Sequence, residues 1–279
     1  MKQRIKTILF LLLFLISLTS SVTALEIKSE SITKIPDDIS ANIIGMRVYK
    51  ELAYIMNANG KYIIINLTDG DISSFKIDSA NKILDFDVVL GKIIYLDDQG
   101  MLGGHAFPKW SKGPYKDVCQ IEACDQGLIL SGGNNSYFLS KNATTSIELP
   151  EINFALPVNN GFIWSMSLDK EKHWQANLYD CFGNLMGNVY KFSEYFEPTN
   201  IEIGPNGIEG EMLISATEGA VRTLALIGNN GRMFWKINGP QKVCARDVGF
   251  DQMDDLIVLD RNTDGDIVIS RWKFTIPEG

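Results

Sequence analysis

From Ile43 onward one pattern recurs to the end of the chain: a short apolar or alternating run, then a turn built on Gly, Asn or Asp, then another run. Nowhere is an apolar period of 3.6 sustained for about ten residues, the minimum that separates a helix from a strand in a sequence. The chain is therefore read as all-β. Alternating runs joined by Asn-Gly and Asp-Gly turns make antiparallel hairpins, because those dipeptides accept the left-handed backbone that tight turns need.

The runs group into units. The first is "IGMRVYK", "LAYIMN", "KYIIINL" and "DISSFKI", with "ANG" and "TDG" between the last three; the second is "KILDFDV", "KIIYLDD" and "MLGGHAF". "VCQIEAC", "LILSG", "SYFLSK" and "TSIELP" make a third, and "INFALPV", "FIWSMSLD", "HWQANLYDC" and "LMGNVYKF" a fourth. A fifth follows as "TNIEIG", "EMLISATE", "VRTLALIG" and "RMFWKIN"; the sixth, "CARDVGF", "DLIVLD" and "DIVISRWKF", ends after three strands. Its missing fourth strand is supplied by "LEIKSESITKI", Leu25 to Ile35, which precedes the first unit and has no other place. Units spaced by about 34 to 50 residues are the signature of a repeat architecture. The fold expected is a six-bladed β-propeller of four-stranded antiparallel blades, with the amino-terminal strand closing the last blade.

"NGRMFWKINGPQKVCARDVGFDQMDDLIVLD", Asn230 to Asp260, resembles the junction between blades in FG-GAP and PQQ-like propeller repeats: an Asn-Gly turn, a Trp shortly after, and an Asp-rich loop leading into an Asp-Leu-Ile-Val strand. The resemblance covers this stretch alone and implies the fold rather than an activity. In the calcium-binding FG-GAP blades it also implies an ion held by a turn like Asp-x-Asn-Gly-Asp-Gly-x-x-Asp. Asp247, Asp251 and Asp255 keep three of those positions, but Gly249, Phe250 and Gln252 replace a ligand and both turn glycines. A hard cation wants about six to eight oxygens, so calcium stays an alternative and no cofactor or metal is expected. Asp260 to Asp266, "DRNTDGD", starts like an EF-hand loop, yet Arg271 stands where a bidentate Glu is required and strands flank it. A hairpin turn is the expectation there.

At the amino end, Lys2, Arg4 and Lys6 precede an apolar run from Ile8 to Leu18, and Val22-Thr23-Ala24 offers small residues for cleavage. This is the pattern of a secretory signal peptide. The run is about half of the roughly 20 residues that cross a bilayer, so removal at residue 24 is expected, leaving 25–279 as one domain, secreted or otherwise extracytoplasmic, with no membrane insertion. Removal takes away three cations and no anion, moving the formal charge from −8 to −11. Such a chain is unsuited to nucleic acid, whose phosphates call for Lys and Arg. Sequons at Asn66, Asn134 and Asn142 are compatible with export.

No Gly-x-Ser-x-Gly, His-Glu-x-x-His, phosphate loop or Cys-x-x-Cys is present, and only His105 and His173 supply imidazoles. Cys119 and Cys124 fall on one predicted strand, roughly 16 Å apart at about 3.3 Å per residue, beyond the roughly 7 Å that a disulfide spans. With Cys181 and Cys244 they are expected as mainly buried thiols, with one bridge at most. Trp235 and Trp272 alternate with core positions and are expected between blades.

Loops carry function, and the longer connections hold aromatics beside charges. "FPKWSKGPYKD" holds Trp110 and Tyr115, "LDKEKHW" holds Asp169, His173 and Trp174, and "EYFEPTN" holds Tyr195. These six are the expected ligand-binding residues, with no catalytic residue nominated. The function expected is a non-catalytic binding or scaffolding module for a protein or glycan partner. The alternatives are a carbohydrate-active enzyme using paired carboxylates and a calcium-stabilised surface or adhesion protein.

Overall fold

The computed structural model describes residues 26–104, 113–124, 127–132, 135–140, 147–149, 154–158, 162–180, 182, 184–203, 212–219, 221–228, 233–238, 248–250 and 255–275. The first strand, β1 (Glu26–Lys34), is followed by a single helical turn, α1 (Asp37–Ser40). Sheet one is β2 (Ile43–Tyr49), β3 (Leu52–Asn57), β4 (Lys61–Asn66) and β5 (Ile72–Lys76). Sheet two is β6 (Ile83–Val89), β7 (Lys92–Asp97) and β8 (Leu102–Gly104). Sheet three is β9 (Gln120–Cys124), β10 (Gly127–Ser131), β11 (Ser136–Ser140) and β12 (Ile147–Leu149). Sheet four follows with β13 (Phe154–Val158), β14 (Phe162–Leu168), β15 (Trp174–Asp180) and β16 (Leu185–Lys191), and sheet five with β17 (Phe196–Ile203), β18 (Met212–Glu218), β19 (Val221–Ile227) and β20 (Met233–Asn238). Sheet six holds β21 (Val248–Phe250), β22 (Leu256–Arg261) and β23 (Ile267–Thr275), and β1 lies on its outer edge. All pairings are antiparallel. Among the described residues no helix is long and apolar enough to cross a membrane.

β1 pairs with β23 from Glu26 opposite Thr275 to Lys34 opposite Val268. The first and last described strands are thus hydrogen-bonded to each other, as the leftover segment Leu25–Ile35 implied. The first strands of consecutive sheets lie side by side, β2 by β6, β6 by β9, β9 by β13, β13 by β17 and β17 by β21, and β21 lies beside β2 again.

Sheet two has three strands among the described residues, and of "MLGGHAF" Leu102–Gly104 is strand, while His105 to Phe107 lie outside the described residues. The described residues that follow, 113–119, fold back as irregular chain against the β7–β8 turn, where the Tyr115 N–H donates to the Gly100 carbonyl at 2.9 Å. Pro114 has no N–H for a ladder. Gly113, at φ +106°, lies outside the extended region.

The apolar core is divided among the seams between sheets. Alternate residues of one strand serve opposite seams: Ile63 and Ile65 pack with Ile257 and Leu259 of sheet six, whereas Tyr62 and Ile64 face Phe86 and Val88 of sheet two. Likewise Leu256 and Val258 meet Leu213 and Leu224 of sheet five, and Trp272 rests on that cluster. Since successive side chains of a strand point to opposite faces, a strand covered on both faces reads as an unbroken apolar run. "GLILS" of β10, buried at every position, is such a strand.

Acidic and amide side chains close the hairpins. Asn57, Asp97, Asp169 and Asn262 each accept, on one Oδ1, the N–H groups two and four residues ahead, at 2.9 to 3.1 Å. In each turn the residue three ahead takes positive φ: Gly60 at +75°, Gly100 at +71°, Lys172 at +64° and Gly265 at +85°. Asn262 and Gly265 lie within "DRNTDGD", so that segment is a hairpin turn, with Asp266 paired to Lys34 at 2.8 Å. Arg271 instead donates to the Leu67 carbonyl at 3.2 Å and lies 3.7 Å from Glu51, joining sheet six to sheet one.

Three of the four turns put glycine at the left-handed position, and Lys172 is the exception. A side chain there costs roughly 1–2 kcal/mol, partly offset by the chain entropy that glycine loses on folding. Lys172→Gly is expected to raise the unfolding free energy by about 0.5–1 kcal/mol, measured by denaturant titration.

Candidate functional site

In an antiparallel sheet the turns between second and third strands lie at the same end as the links to the next sheet. Asp169, His173 and Trp174 lie at that end of sheet four, around the β14–β15 turn, and Tyr195 lies in the β16–β17 link. Lys191, the last residue of β16, pairs with two acids of that turn. Its Nζ is 2.7 Å from Asp169 Oδ2 and 2.9 Å from Glu171 Oε2. His173 Nδ1 is 3.5 Å from Glu171 Oε2 and 3.8 Å from Asp169 Oδ2.

Asp169, Glu171 and His173 present ligand atoms within 4.8 Å of one another, a spacing that suits a cation. The Lys191 ammonium already lies between the two carboxylates and supplies the positive charge. It and the turn N–H groups hold the Asp169 carboxyl down at about 2. Lys191 thus clamps the β14–β15 turn through both carboxylates.

The aromatic residues divide. Tyr195 is exposed at 65%, between Phe192 and Phe196, whose rings stack at 4.2 Å. Trp174 is half-buried and packs on the apolar cluster between sheets four and five. Tyr115 is only 8% exposed, and its ring meets that of Tyr137 at 5.4 Å. It therefore fills the seam between sheets two and three, while also edging a shallow hollow of about 370 Å³ beside Gly100 and Asp117. Trp110 and His105 lie outside the described residues, as do Asp247 and Asp251. Cys119 departs from the expected buried thiol: it precedes β9, is exposed, and its Sγ donates to the Gly132 carbonyl at 2.9 Å. The side chains of the other three cysteines lie outside the described residues.

A second charged cluster was not nominated from the sequence. Arg47 of β2 and Asp85 and Asp87 of β6 are all buried. Arg47 Nη2 donates to Asp85 Oδ1 at 3.1 Å, Nε is 3.4 Å from Asp87 Oδ1, and Nη1 donates to the Met46 carbonyl at 2.7 Å. The guanidinium also lies over the Phe86 ring, 5.2 Å from its centroid. The far oxygens of the two carboxylates accept the N–H groups of Ile121 at 2.9 Å and Ala123 at 2.5 Å. Those groups lie on β9, two residues apart like the acids, on the edge away from β10. Asp85 and Asp87 thus take the place of a missing neighbour strand. Burial of unpaired N–H groups would cost about 1–3 kcal/mol each.

The signal for this cluster was "DFD" inside an apolar strand. Acids two apart share a face, and buried charge needs a partner; Arg47 is the mid-strand cation of the preceding unit.

Burial pushes the Asp85 carboxyl up to about 7 and that of Asp87 to about 6, against the opposing pull of Arg47 and the backbone donors. In the unfolded chain both titrate near ~3.9, so between about pH 4 and pH 7 the folded state binds more protons. Stability from these groups is complete below the unfolded value and is lost as pH rises through 6 to 7. The unfolding free energy is expected to rise when pH is lowered from 8 to 5. Asp85→Asn, which keeps the shape, is expected to flatten that dependence in denaturant titrations across the range.

No family model matches the sequence, and no curated protein matches it. Solved structures do resemble the fold. A streptogramin B lyase superposes with a TM-score of 0.55 at 11% identity, covering 92% of this chain and 100% of that one. The WD40 β-propeller domain of Doa1 gives 0.55 at 12% identity, covering 88% and 97%. Virginiamycin B lyase from Staphylococcus aureus gives 0.55 at 13%, covering 89% and 99%. Identities this low show the fold alone, and they do not single out the FG-GAP or PQQ-like kind. The chain has a β-propeller fold.

Proposed function

We propose that the chain is an exported six-bladed propeller, its six sheets the blades and β1 the outer strand of the last, acting as a non-catalytic binding module. Adjacency of the first strands, from β2 round to β21 and back to β2, supports the blade count. The signal-peptide pattern of residues 1–24 supports export. One observation carries the binding reading: at the turn end of sheet four, Lys191 pairs with Asp169 and Glu171, and Tyr195, four residues on in the adjoining link, stands out at 65% exposure. Charged groups and an exposed ring at one end of a sheet suit recognition of a protein or glycan, because aromatic side chains dominate the contact energy of interfaces.

Enzymatic use of paired carboxylates is the weaker reading. A glycosidase pair needs oxygens open to substrate. The Asp85 and Asp87 oxygens are instead taken up by Arg47 and backbone N–H groups, and those of Asp169 by Lys191 and its own turn.

The test is a glycan array and cross-linking capture with the mature chain, repeated with Tyr195→Ala and Lys191→Ala. Each substitution is expected to weaken binding by about 1–2 kcal/mol with little change in the unfolding midpoint. Turnover of a bound glycan that Asp85→Asn abolishes would establish the enzyme reading instead.

A further inference from the structure

The seam between sheets one and two is packed on its inner side and open on its outer side. Met56, Ile83 and Phe86 fill the inner part. Further out, Tyr54, Tyr62, Ile64, Ile93 and Tyr95 line a groove of about 380 Å³, within the range of roughly 300–1,000 Å³ typical of small-molecule sites.

The opening has a local cause. The third strand of sheet two, β8, carries glycine at 103 and 104. Tyr95 and Gly103 are cross-strand partners. A Cβ on residue 103 would come within 2.1 Å of Tyr95 Cζ, so the ring occupies the space that a side chain there would fill. Across the groove the Tyr62 ring is held against Phe75, centroids 5.2 Å apart and planes 20° apart. Tyr54 is fixed from below, its hydroxyl reaching the Gly91 carbonyl at 3.4 Å.

The groove thus combines flat aromatic and branched aliphatic surface with phenolic hydroxyls. In a chain of formal charge −8 it is lined by no carboxylate, and its one charged member is Lys92. We propose that this groove is a carbohydrate site that takes a pyranose ring, one C–H face against the tyrosine rings and the ring hydroxyls bonded to the phenols. A sugar matches both halves of the lining. A wholly apolar ligand would bury the hydroxyls without partners, which costs energy. A phenol both donates and accepts, as does a sugar hydroxyl. Burial holds the phenols of Tyr62 and Tyr95 above their ordinary range, so each keeps its proton to donate, while Tyr54 directs its own to Gly91.

The site is separate from the turn end of sheet four, and the experiment keeps the two apart. Saturation-transfer NMR on the mature chain uses cellotetraose, maltotetraose and tetragalacturonate at millimolar concentration as probes. Transfer is expected to the C–H protons of at least one of them. Tyr62→Ala is expected to weaken binding about tenfold, as loss of a stacking ring does. Gly103→Ala, which displaces the Tyr95 ring, is expected to abolish it in a Lys191→Ala background as in the parent chain, so that binding at the turn end of sheet four is not counted. No transfer from any probe would overturn the proposal, as would equal transfer in Tyr62→Ala, a half-buried position where Tyr62→Leu, which keeps the packing and loses the ring, decides the matter even where Gly103→Ala fails to fold.

Discussion

A sheet with two apolar faces cannot stand alone in water, and this governs the molecule. Each sheet needs a neighbour on either side, as β4 shows by placing Ile63 and Ile65 against sheet six and Tyr62 and Ile64 against sheet two. Burying a side chain of this size contributes about 1.5–3 kcal/mol, and none of it is available to an isolated sheet. The order of sheets must therefore return on itself. β1 on β23, Arg271 on the Leu67 carbonyl and the cluster of Ile35 and Ile39 with Ile257 and Ile267 hold that closing seam together.

The acidic composition takes on meaning inside this frame. Asp97 and Asp169, like Asn57 and Asn262, organise hairpins by accepting two N–H groups apiece. Asp85 and Asp87 satisfy the inner edge of β9, where no further strand can pair. Their charge is only partly balanced by Arg47, so the same arrangement that satisfies the backbone makes the seam sensitive to protonation. These carboxylates serve the fold by satisfying backbone N–H groups.

The two candidate surfaces arise in different ways. At sheet four, the ordinary hairpin turn is decorated with Glu171 and His173 and fixed by Lys191 from the neighbouring strand. Between sheets one and two, Gly103 leaves the space that the Tyr95 ring occupies, and a groove opens beside it. Sequence reasoning favoured loop aromatics and so selected Tyr115, whose ring is largely buried, while passing over Tyr54, Tyr62 and Tyr95, which sit inside strands. Their role depends on what lies opposite, and that partner is some 40 residues away in the chain, about one repeat.

Local physics fixed the strands, the turns and the pairing of the two ends, because side-chain alternation and the left-handed preference of Asn-Gly and Asp-Gly act over a few residues. "DRNTDGD" was legible as a turn for that reason, and Leu25–Ile35 as the donor strand because the last unit was one strand short. The tertiary structure alone decided that Arg47 meets Asp85 and Asp87, that Lys191 fills the space between Asp169 and Glu171, and that a groove opens over Gly103. Each of these depends on distances between residues of different strands or different sheets, and no period in a single chain encodes such a distance.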